Sequence, residues 1–563
     1  MLVALTPSGP GGLLRPLADD GTPVGAEQHV QDLAGAVARV ESRDRPRWLW
    51  ASTAEIYPRL VRAGVRVERC HDLELAEALL LGAEGAWGQP RTLAAASARL
   101  AGRPVPPDPP ARAAEPPGLS QDSLFDAFDA ATVPLEELTA VYRAQRRRVE
   151  SLPELESAHP LAPRAGGMRT LIAAESAGAL VAVEMGLAGL PWRADVHDAL
   201  LRELLGPPSP VGGPPARLAE LGARLNEALG QRVHPESPAE LLRAFARVGI
   251  MLRSTRKWEL EHVDHPAVPI LLEYKELFRL WTAHGWSWLD QWVTGGRFRA
   301  EYIPGGVVSG RWATRGGGAL QIPKVVRRAV VADPGWVFVV ADAGQLEPRV
   351  LAAVSGDKRL ARAGAAGDLY AALATEAFDG DRARAKVALL GAMYGQTGGS
   401  AAPALAALRR FYPDAWDLVE EAARTGEAGG LVRTWLGRTC PPASVSWREG
   451  FDEPGAEVES RGGARGRARG RFTRNFVIQG TAAEWALVLL ARLRAALTGG
   501  GRRAELVFFQ HDEVIVHCPR EEAEGVAAAV HAAGDEARQL LFGDTAVRFP
   551  LEVSIVEAYF DAK

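Results

Sequence analysis

The chain has 563 residues, 47% of them hydrophobic and 24% charged, enough for about four compact units and wrong in composition for a disordered or fibrous protein. Its 65 basic and 69 acidic side chains nearly cancel, which advertises no nucleic-acid partner, and no apolar run approaches the roughly 18 residues of a bilayer span. Three widely spaced cysteines (Cys70, Cys440, Cys518) exclude a disulfide framework or a CxxC metal site and point to a reducing, cytoplasmic setting, and the opening MLVALTPSGPGG lacks the basic flank of a signal peptide.

In chain order, MLVALTPSG predicts an opening β-strand, and GVRVERC a further one before the helical text LELAEALLLG. Asp72 precedes that helix and can cap it; with Glu74 it can also be read as an acidic pair. Pro104 to Gly118 and Gly206 to Pro215 are Pro-rich surface connections. From about 168 to 295 apolar residues recur at three- and four-residue spacing, so the text is mainly helical and the second Pro-rich stretch becomes a loop between helices. WVFVVA (336–341) and LVFF (506–509) are short apolar runs bounded by polar or turn residues, as buried strands are. Between them, roughly 351 to 499, the text is Ala- and Leu-rich and helical. This order predicts an α+β body with a helical subdomain inserted into its sheet. Residues 461–471, RGGARGRARGR, hold too much glycine for a stable helix and predict a mobile basic loop, either solvated or touching phosphate.

Two strand ends carry acids. Asp342 follows WVFVVA, and Asp512 and Glu513 sit between LVFF and VIVH, where the spacing predicts a tight hairpin with carboxylates at its tip. Side by side, paired aspartates can hold two Mg²⁺ ions about 4 Å apart, as phosphoryl transfer needs. The same acids can equally serve a structural ion pair. A second constellation lies on the inserted helix, where Arg382, Lys386, Leu390 and Tyr394 recur every four residues as one stripe. Cations at i and i+4 repel by roughly a few tenths of a kcal/mol unless a polyanion lies along them. Gly391 in mid-helix costs about 1 kcal/mol relative to Ala unless something flat approaches the backbone. Only six of the 65 basic residues are lysines, which singles out Lys386. The plain alternative is a solvated basic face with an incidental glycine.

Together these segments resemble family A DNA polymerases, the DNA polymerase I type. ADAGQLEPRVLA (341–352) is similar to the DYSQIELR palm motif, RARAKVALLGAMYG (382–395) to the fingers motif R-x-x-x-K-x-x-x-F-G-x-x-Y-G, and QHDEV (510–514) to VHDE. SGRWATRGGGALQIP (309–323) resembles TGR…LQNIP with one residue more between arginine and glutamine. RNFVIQGTAAE (474–484) resembles FNxxVQGTAAD, and RSTRKWELEHVDHPAVPILLEYKEL (253–277) resembles a thumb segment. The matches run in order over roughly 168–563. The resemblance implies a multidomain α+β right-hand polymerase, with the thumb at 166–295, the palm at 296–350 and 500–563, and the fingers with an inserted helical region at 351–499. A ribonuclease-H-like, exonuclease-type domain would occupy 1–165.

Carried onto the matching positions, the resemblance implies template-directed DNA synthesis: deoxynucleotides added to a primer 3′-hydroxyl by two-metal phosphoryl transfer, with pyrophosphate released, in replication or repair. Asp342, Asp512 and the Ala343 carbonyl would bind two Mg²⁺, with Mn²⁺ as a substitute. Arg382 and Lys386 would hold the triphosphate, Lys386 with a catalytic part. Glu347 would gate against a ribose 2′-hydroxyl, Tyr394 would pack at the templating position, and Gln345 and Leu390 would complete the nucleotide-binding set. His511 and Glu513 would flank the metals and the primer end, Glu513 among the catalytic residues. Arg311, Gln321, Arg471, Asn475 and Gln479 would contact primer-template DNA, and Ser254, Thr255, Arg256 and Lys257 would take phosphate at a helix start. The implied partners are primer-template DNA and deoxynucleoside triphosphates, for a monomer at the nucleoid with no membrane partner.

Several positions depart from the family. Ala343 and Gly344 stand where it has Tyr and Ser, and Leu390 replaces an aromatic, whose stacking on a base contributes roughly 1–3 kcal/mol. Pro348 suggests that the following helix begins there. Efficiency, fidelity or sugar selectivity should be altered. Residues 1–165 leave no room for the family's 5′-nuclease and should be degenerate for 3′–5′ proofreading. The opening strand lacks D-x-E, and four places after Tyr142 comes Arg146, which cannot be a metal ligand. Asp72 and Glu74 lie in a stretch that resembles a structural part of that domain, which favours the cap. Two competing readings remain: a single-subunit RNA polymerase, opposed by Glu347, and a catalytically weak DNA-binding paralogue, opposed by Asp342, Lys386 and Asp512.

Overall fold

The computed structural model describes residues 1–110, 133–152, 161–209, 212–395, 402–442 and 456–562, without the side chains of 456–464. Parts of both Pro-rich connections, 111–118 and 210–211, lie outside these ranges.

The first sheet is built from β1 (Leu2–Ser8), β2 (Gly11–Leu17), β3 (Gln28–Val30), β4 (Arg47–Trp50) and β5 (Arg69–Asp72). Its order is β3-β2-β1-β4-β5, with antiparallel pairing from β1 outward to β3 and parallel pairing from β1 through β4 to β5. Alternation along β1 sends Val3 and Leu5 into one apolar layer with Trp48 and Trp50, and Leu2 and Ala4 into another with Leu49. Both faces are therefore covered, as parallel strands require. The strand anticipated at GVRVERC begins later: Gly64, at φ +77°, follows a helix ending at Arg62, and pairing starts only at Arg69. Asp72 does cap α1 (Leu73–Ala83); its carboxylate accepts from the Leu75 N–H at 2.9 Å and from the Thr53 N–H at 2.7 Å. On α2 (Leu135–Glu150), Tyr142 and Arg146 both donate to the Asp19 carbonyl, so Arg146 is a strut on the β2–β3 connection.

From α3 (Gly167–Ala188) to Trp292 the described chain is dominated by helices, as its periodicity predicts, and the second Pro-rich stretch joins two of them. The central sheet follows: β6 (Trp336–Ala343), β7 (Glu505–Gln510), β8 (Glu513–Pro519) and β9 (Leu551–Val556), antiparallel in the order β7-β8-β6-β9. Inserted between β6 and β7 are α4 (Leu346–Val354), α5 (Leu369–Ala377), α6 (Arg382–Tyr394), α7 (Pro413–Glu427) and α8 (Ala456–Gly499). α9 (Ala523–Phe542) packs across β6, β8 and β9.

Two sequence expectations need correction. α8 is one helix of 44 residues and takes in 461–471, where glycine density predicted a loop. Its later part, Phe476 to Leu497, is largely buried and packs on α3, α7 and α9. Once that part is fixed, each further residue extends an existing helix without new nucleation. The glycines cost about 1 kcal/mol each, but the arginines between them are good helix formers, and Gly470 lies so close to Glu427 of α7 that a Cβ would clash. Secondly, α3 and residues 465–499 of α8 are long and apolar enough to cross a membrane. Small residues interrupt their apolar runs without lowering mean hydropathy much. Their most apolar stretches are 67% and 83% buried inside the protein, which accounts for apolar character on nearly every side.

Candidate active site

β6 ends at Asp342 and Ala343. Glu513, the first residue of β8, lies directly opposite Asp342, and the Ala343 N–H donates to the Asp512 carbonyl at 3.0 Å. The hairpin with carboxylates at its tip is present: Gln510 pairs with Glu513 across a two-residue turn, His511–Asp512. Within it the Asp512 N–H donates to the Gln510 carbonyl at 2.8 Å, across His511 at φ +60°. That combination is a γ-turn of the rare, strained hand. It holds the Asp512 backbone beside the end of β6. Glu513 turns inward instead: it is only 4% exposed, and its carboxylate accepts from the buried Tyr559 hydroxyl at 2.9 Å. Burial, then the Glu513 carboxylate, hold the Tyr559 phenol well above its usual range, with a smaller contribution from Asp342.

Beyond β6 the chain turns through Gly344 and Gln345 into α4. Gln345 has φ +58°, and of the four non-glycine residues with positive φ among the described residues, it and His511 line one cavity. That cavity, about 260 Å³, is also walled by Arg311, Glu347, Tyr394, Asp512 and the small Ala482 and Ala483 of α8. Pro348 is the third residue of α4, whose start at Leu346 is earlier than the sequence suggests. In a first turn the missing N–H has no intrahelical partner to lose, so proline is tolerated there. Inside the cavity Glu347 is held from two sides: the Arg311 guanidinium forms an ion pair with one oxygen, and the Tyr394 hydroxyl donates to the other at 2.5 Å. Partial burial, then that carboxylate, raise the Tyr394 phenol above its usual range.

The stripe on α6 exists as the spacing predicts. Asp381 caps the helix by accepting from the Arg384 N–H at 2.9 Å, and Arg382, Lys386 and Tyr394 are exposed with Leu390 half-buried. Ala385, Ala388, Leu389, Ala392 and Met393 fill the opposite, buried side. Arg382, Lys386 and Leu390 lie outside the cavity wall; Tyr394, at the helix end, lies within it. On α8, Arg471, Asn475 and Gln479 share one face by their four-residue spacing, and the next turn supplies Ala482 and Ala483 to the cavity. Arg471 abuts Gly395 at the end of α6, where a Cβ would strike it. Gln321 is exposed in a short 3₁₀ turn, and the Gln510 amide donates to the neighbouring Leu320 carbonyl at 2.8 Å, tying that turn to the hairpin. Before it run Gly316, Gly317 and Gly318, all at positive φ; a Cβ on Gly316 would enter the Trp292 ring.

Ser254, Thr255, Arg256 and Lys257 are not brought to the cavity. They belong to a helical unit with its own core, from Leu225 to Leu271. The helix they open is one turn, Lys257–Leu260; Ser254 donates to Glu259 at 2.7 Å, Thr255 is buried, and Arg256 and Lys257 are exposed. The sequence reading misses Asp368, Ala482 and Ala483. The two alanines lie within a quoted motif but carry no chemical signal, and Asp368 shows only an acid before helical text, which reads as a cap.

The sheet, its helical insertion and the cavity at the strand ends form a right-hand polymerase fold. A sequence profile described as DNA polymerase family A matches residues 215–559, and the chain belongs to that family. DNA polymerase I of Chloroflexus aurantiacus is 29% identical over 334 residues, 54% of this chain and 34% of that protein. The thermostable DNA polymerase I of Thermus thermophilus is 30% identical over 336 residues, 54% of this chain and 37% of that one. The chain thus spans little more than a third of the length of these curated relatives. Among solved structures, the POL domain of Pol1 from M. smegmatis, in complex with DNA primer-template and dNTP, matches with a TM-score of 0.67 and 19% identity, covering 100% of this chain and 95% of that one.

Proposed function

We propose that the chain is a DNA-directed DNA polymerase that extends a primer 3′-hydroxyl on a template and releases pyrophosphate. The observation that carries this reading is the Ala343 N–H to Asp512 carbonyl bond, which brings two aspartate-bearing strand ends together beside a cavity walled by Glu347, Tyr394 and His511. Asp342, Asp512 and the Ala343 carbonyl are hard oxygen donors and fit Mg²⁺, with Mn²⁺ as a substitute. Bound there, a pair of divalent cations supplies the positive charge that phosphoryl transfer draws on. Arg382 and Lys386 extend their cations along α6 toward a triphosphate, and Lys386 neutralises charge on the departing pyrophosphate. Glu347, pinned by Arg311 and Tyr394, stands against the 2′ side of the sugar, while His511 borders the primer end and Glu513, turned inward onto Tyr559, supports the hairpin from behind. Arg471, Asn475, Gln479 and Gln321 hold the primer-template through sugar and phosphate without reading sequence.

We assign the thumb to 166–295, the palm to 296–350 and 500–563, and the fingers to 351–499. Residues 1–165 serve as a scaffold without proofreading: Asp72 is spent on two N–H groups, and Arg146 stands where an acid would be sought. The enzyme acts as a monomer on nucleoid DNA, in replication or repair. Primer extension with Mg²⁺, comparing dNTPs with NTPs, tests the reading. Extension with dNTPs, reduced at least about a thousandfold by Asp512→Ala, is the expected result. Preferential use of NTPs, or tight DNA binding without extension, sinks it.

A further inference from the structure

Asp368 belongs to none of the motifs quoted above, yet three groups converge on its carboxylate. Arg382 Nε donates to one oxygen at 2.7 Å; the Gln345 amide at 2.8 Å and the Ala371 N–H at 3.1 Å donate to the other. Gln345 also accepts, taking the Leu369 N–H at 2.9 Å. A pair of hydrogen bonds thereby clasps the left-handed residue that leads into Leu346 and Glu347. The Arg382 guanidinium also lies over the ring of Tyr370, 5.6 Å from its centroid. α5 therefore fixes both an edge and a face of this cation. Bonding through Nε leaves the terminal nitrogens of Arg382 available to an anion. Burial alone would raise the Asp368 carboxyl, but the Arg382, Gln345 and Ala371 donors outweigh it and hold it at about 2.

We propose that Asp368 is a positioning residue that couples the two halves of the nucleotide site: one oxygen aims Arg382 at the incoming triphosphate, and the other fixes the Gln345 turn that places Glu347 against the sugar. This inference rests on the polymerase reading above. The ion pair is at the surface, with the Arg382 and Asp368 side chains 53% and 39% exposed, so it contributes little stability. Its effect is orientation, which acts on substrate binding.

Asp368→Asn separates the two arms. Asparagine keeps an oxygen for Gln345 and Ala371 and still caps α5, but turns an amide NH₂ toward Arg382. Single-nucleotide extension of a primer-template is expected to show the KM for dNTP raised about tenfold, equivalent to about 1.4 kcal/mol. Its kcat should stay within about twofold and its preference for dNTP over NTP should be unchanged. Gln345→Met, which breaks both amide bonds, is expected to lower that preference about tenfold. An unaltered KM in Asp368→Asn overturns the proposal, as does an unaltered sugar preference in Gln345→Met. A fall in melting temperature of more than about 5 °C, with kcat and KM degraded together, also overturns it in favour of a structural cap. Wild-type protein that extends no primer removes the polymerase reading and the proposal with it, an outcome distinct from a variant that merely matches an active wild type.

Discussion

Arg349 is fully buried behind the turn that follows β6, and its guanidinium donates to five backbone carbonyls, those of Gly344, Gly364, Ala366, Gly367 and Arg548, at 2.6–3.2 Å. It ties α4, two loops and the approach to β9 together immediately beneath the candidate metal ligands. Each buried carbonyl left without a donor costs about 1–3 kcal/mol, although such terms are not additive. Arg349→Met should therefore lose about 4 kcal/mol of unfolding free energy in a urea titration. A loss below about 1 kcal/mol contradicts this account. The arginine is legible in the sequence as part of ADAGQLEPRVLA, but its five partners are not, because they lie from 5 to 199 positions away along the chain. Asp342 and Asp512 were legible for the opposite reason: each is flanked by an apolar run whose strand character is local.

Among the elements, α8 is the one whose length the sequence conceals. Strands β6 and β7 and the hairpin turn follow from apolar runs and the polar residues that bound them, and the α6 stripe follows from a four-residue period. The early part of α8 is hidden because its glycines argue locally against a helix, while the buried run that anchors it begins only near Phe476. The same helix buries Glu484 completely, where the Thr434 hydroxyl and the Leu436 N–H, the latter at 2.9 Å, donate to its carboxylate. Burial outweighs those donors and Arg438 and raises the carboxyl to about 7. An unfolded glutamate titrates near 4.3, so the folded state binds this proton more tightly. The stability it contributes is complete below about pH 4.3 and is lost as pH rises through about 7. Glu484→Gln should consequently gain roughly 3 kcal/mol relative to wild type at pH 8 and close to nothing at pH 4. Urea unfolding at the two pH values measures the difference, and a gain independent of pH refutes the assignment.

Across the whole molecule, the first sheet is joined to the polymerase body through Arg494 of α8. Its side chain is 4% exposed and donates to the Val67 carbonyl at 2.6 Å, the Glu68 carbonyl at 2.9 Å, the Tyr57 hydroxyl at 3.1 Å and Glu184 of α3 at 2.7 Å. Removing one partner of such a buried pair is costly, so Arg494→Met should lose about 3–5 kcal/mol and let the N-terminal sheet melt ahead of the rest. Calorimetry should then resolve two transitions where wild type gives one; a single transition at the wild-type temperature argues against the coupling. The matching functional expectation is that no nucleotide is released from a mismatched primer end. Metal-dependent release that disappears in Asp72→Ala would reverse the scaffold reading. At this scale the α+β order and the helical insertion were readable from the sequence, whereas the Arg494 junction was not, because one arginine among 59 carries no mark of burial.

A continuous helix of 44 residues is a rod of about 66 Å. It carries the N-terminal anchorage at Arg494 and, about four to six turns away, the face of Arg471, Asn475 and Gln479. In the proposed scaffold role, substitutions in the first sheet that leave Arg494 and its partners in place would cost synthesis nothing. Genetic loss of the sheet itself is another matter, because it would unmoor the rod that carries the face proposed for the template. In that role the sheet would serve as a foundation rather than as a catalyst.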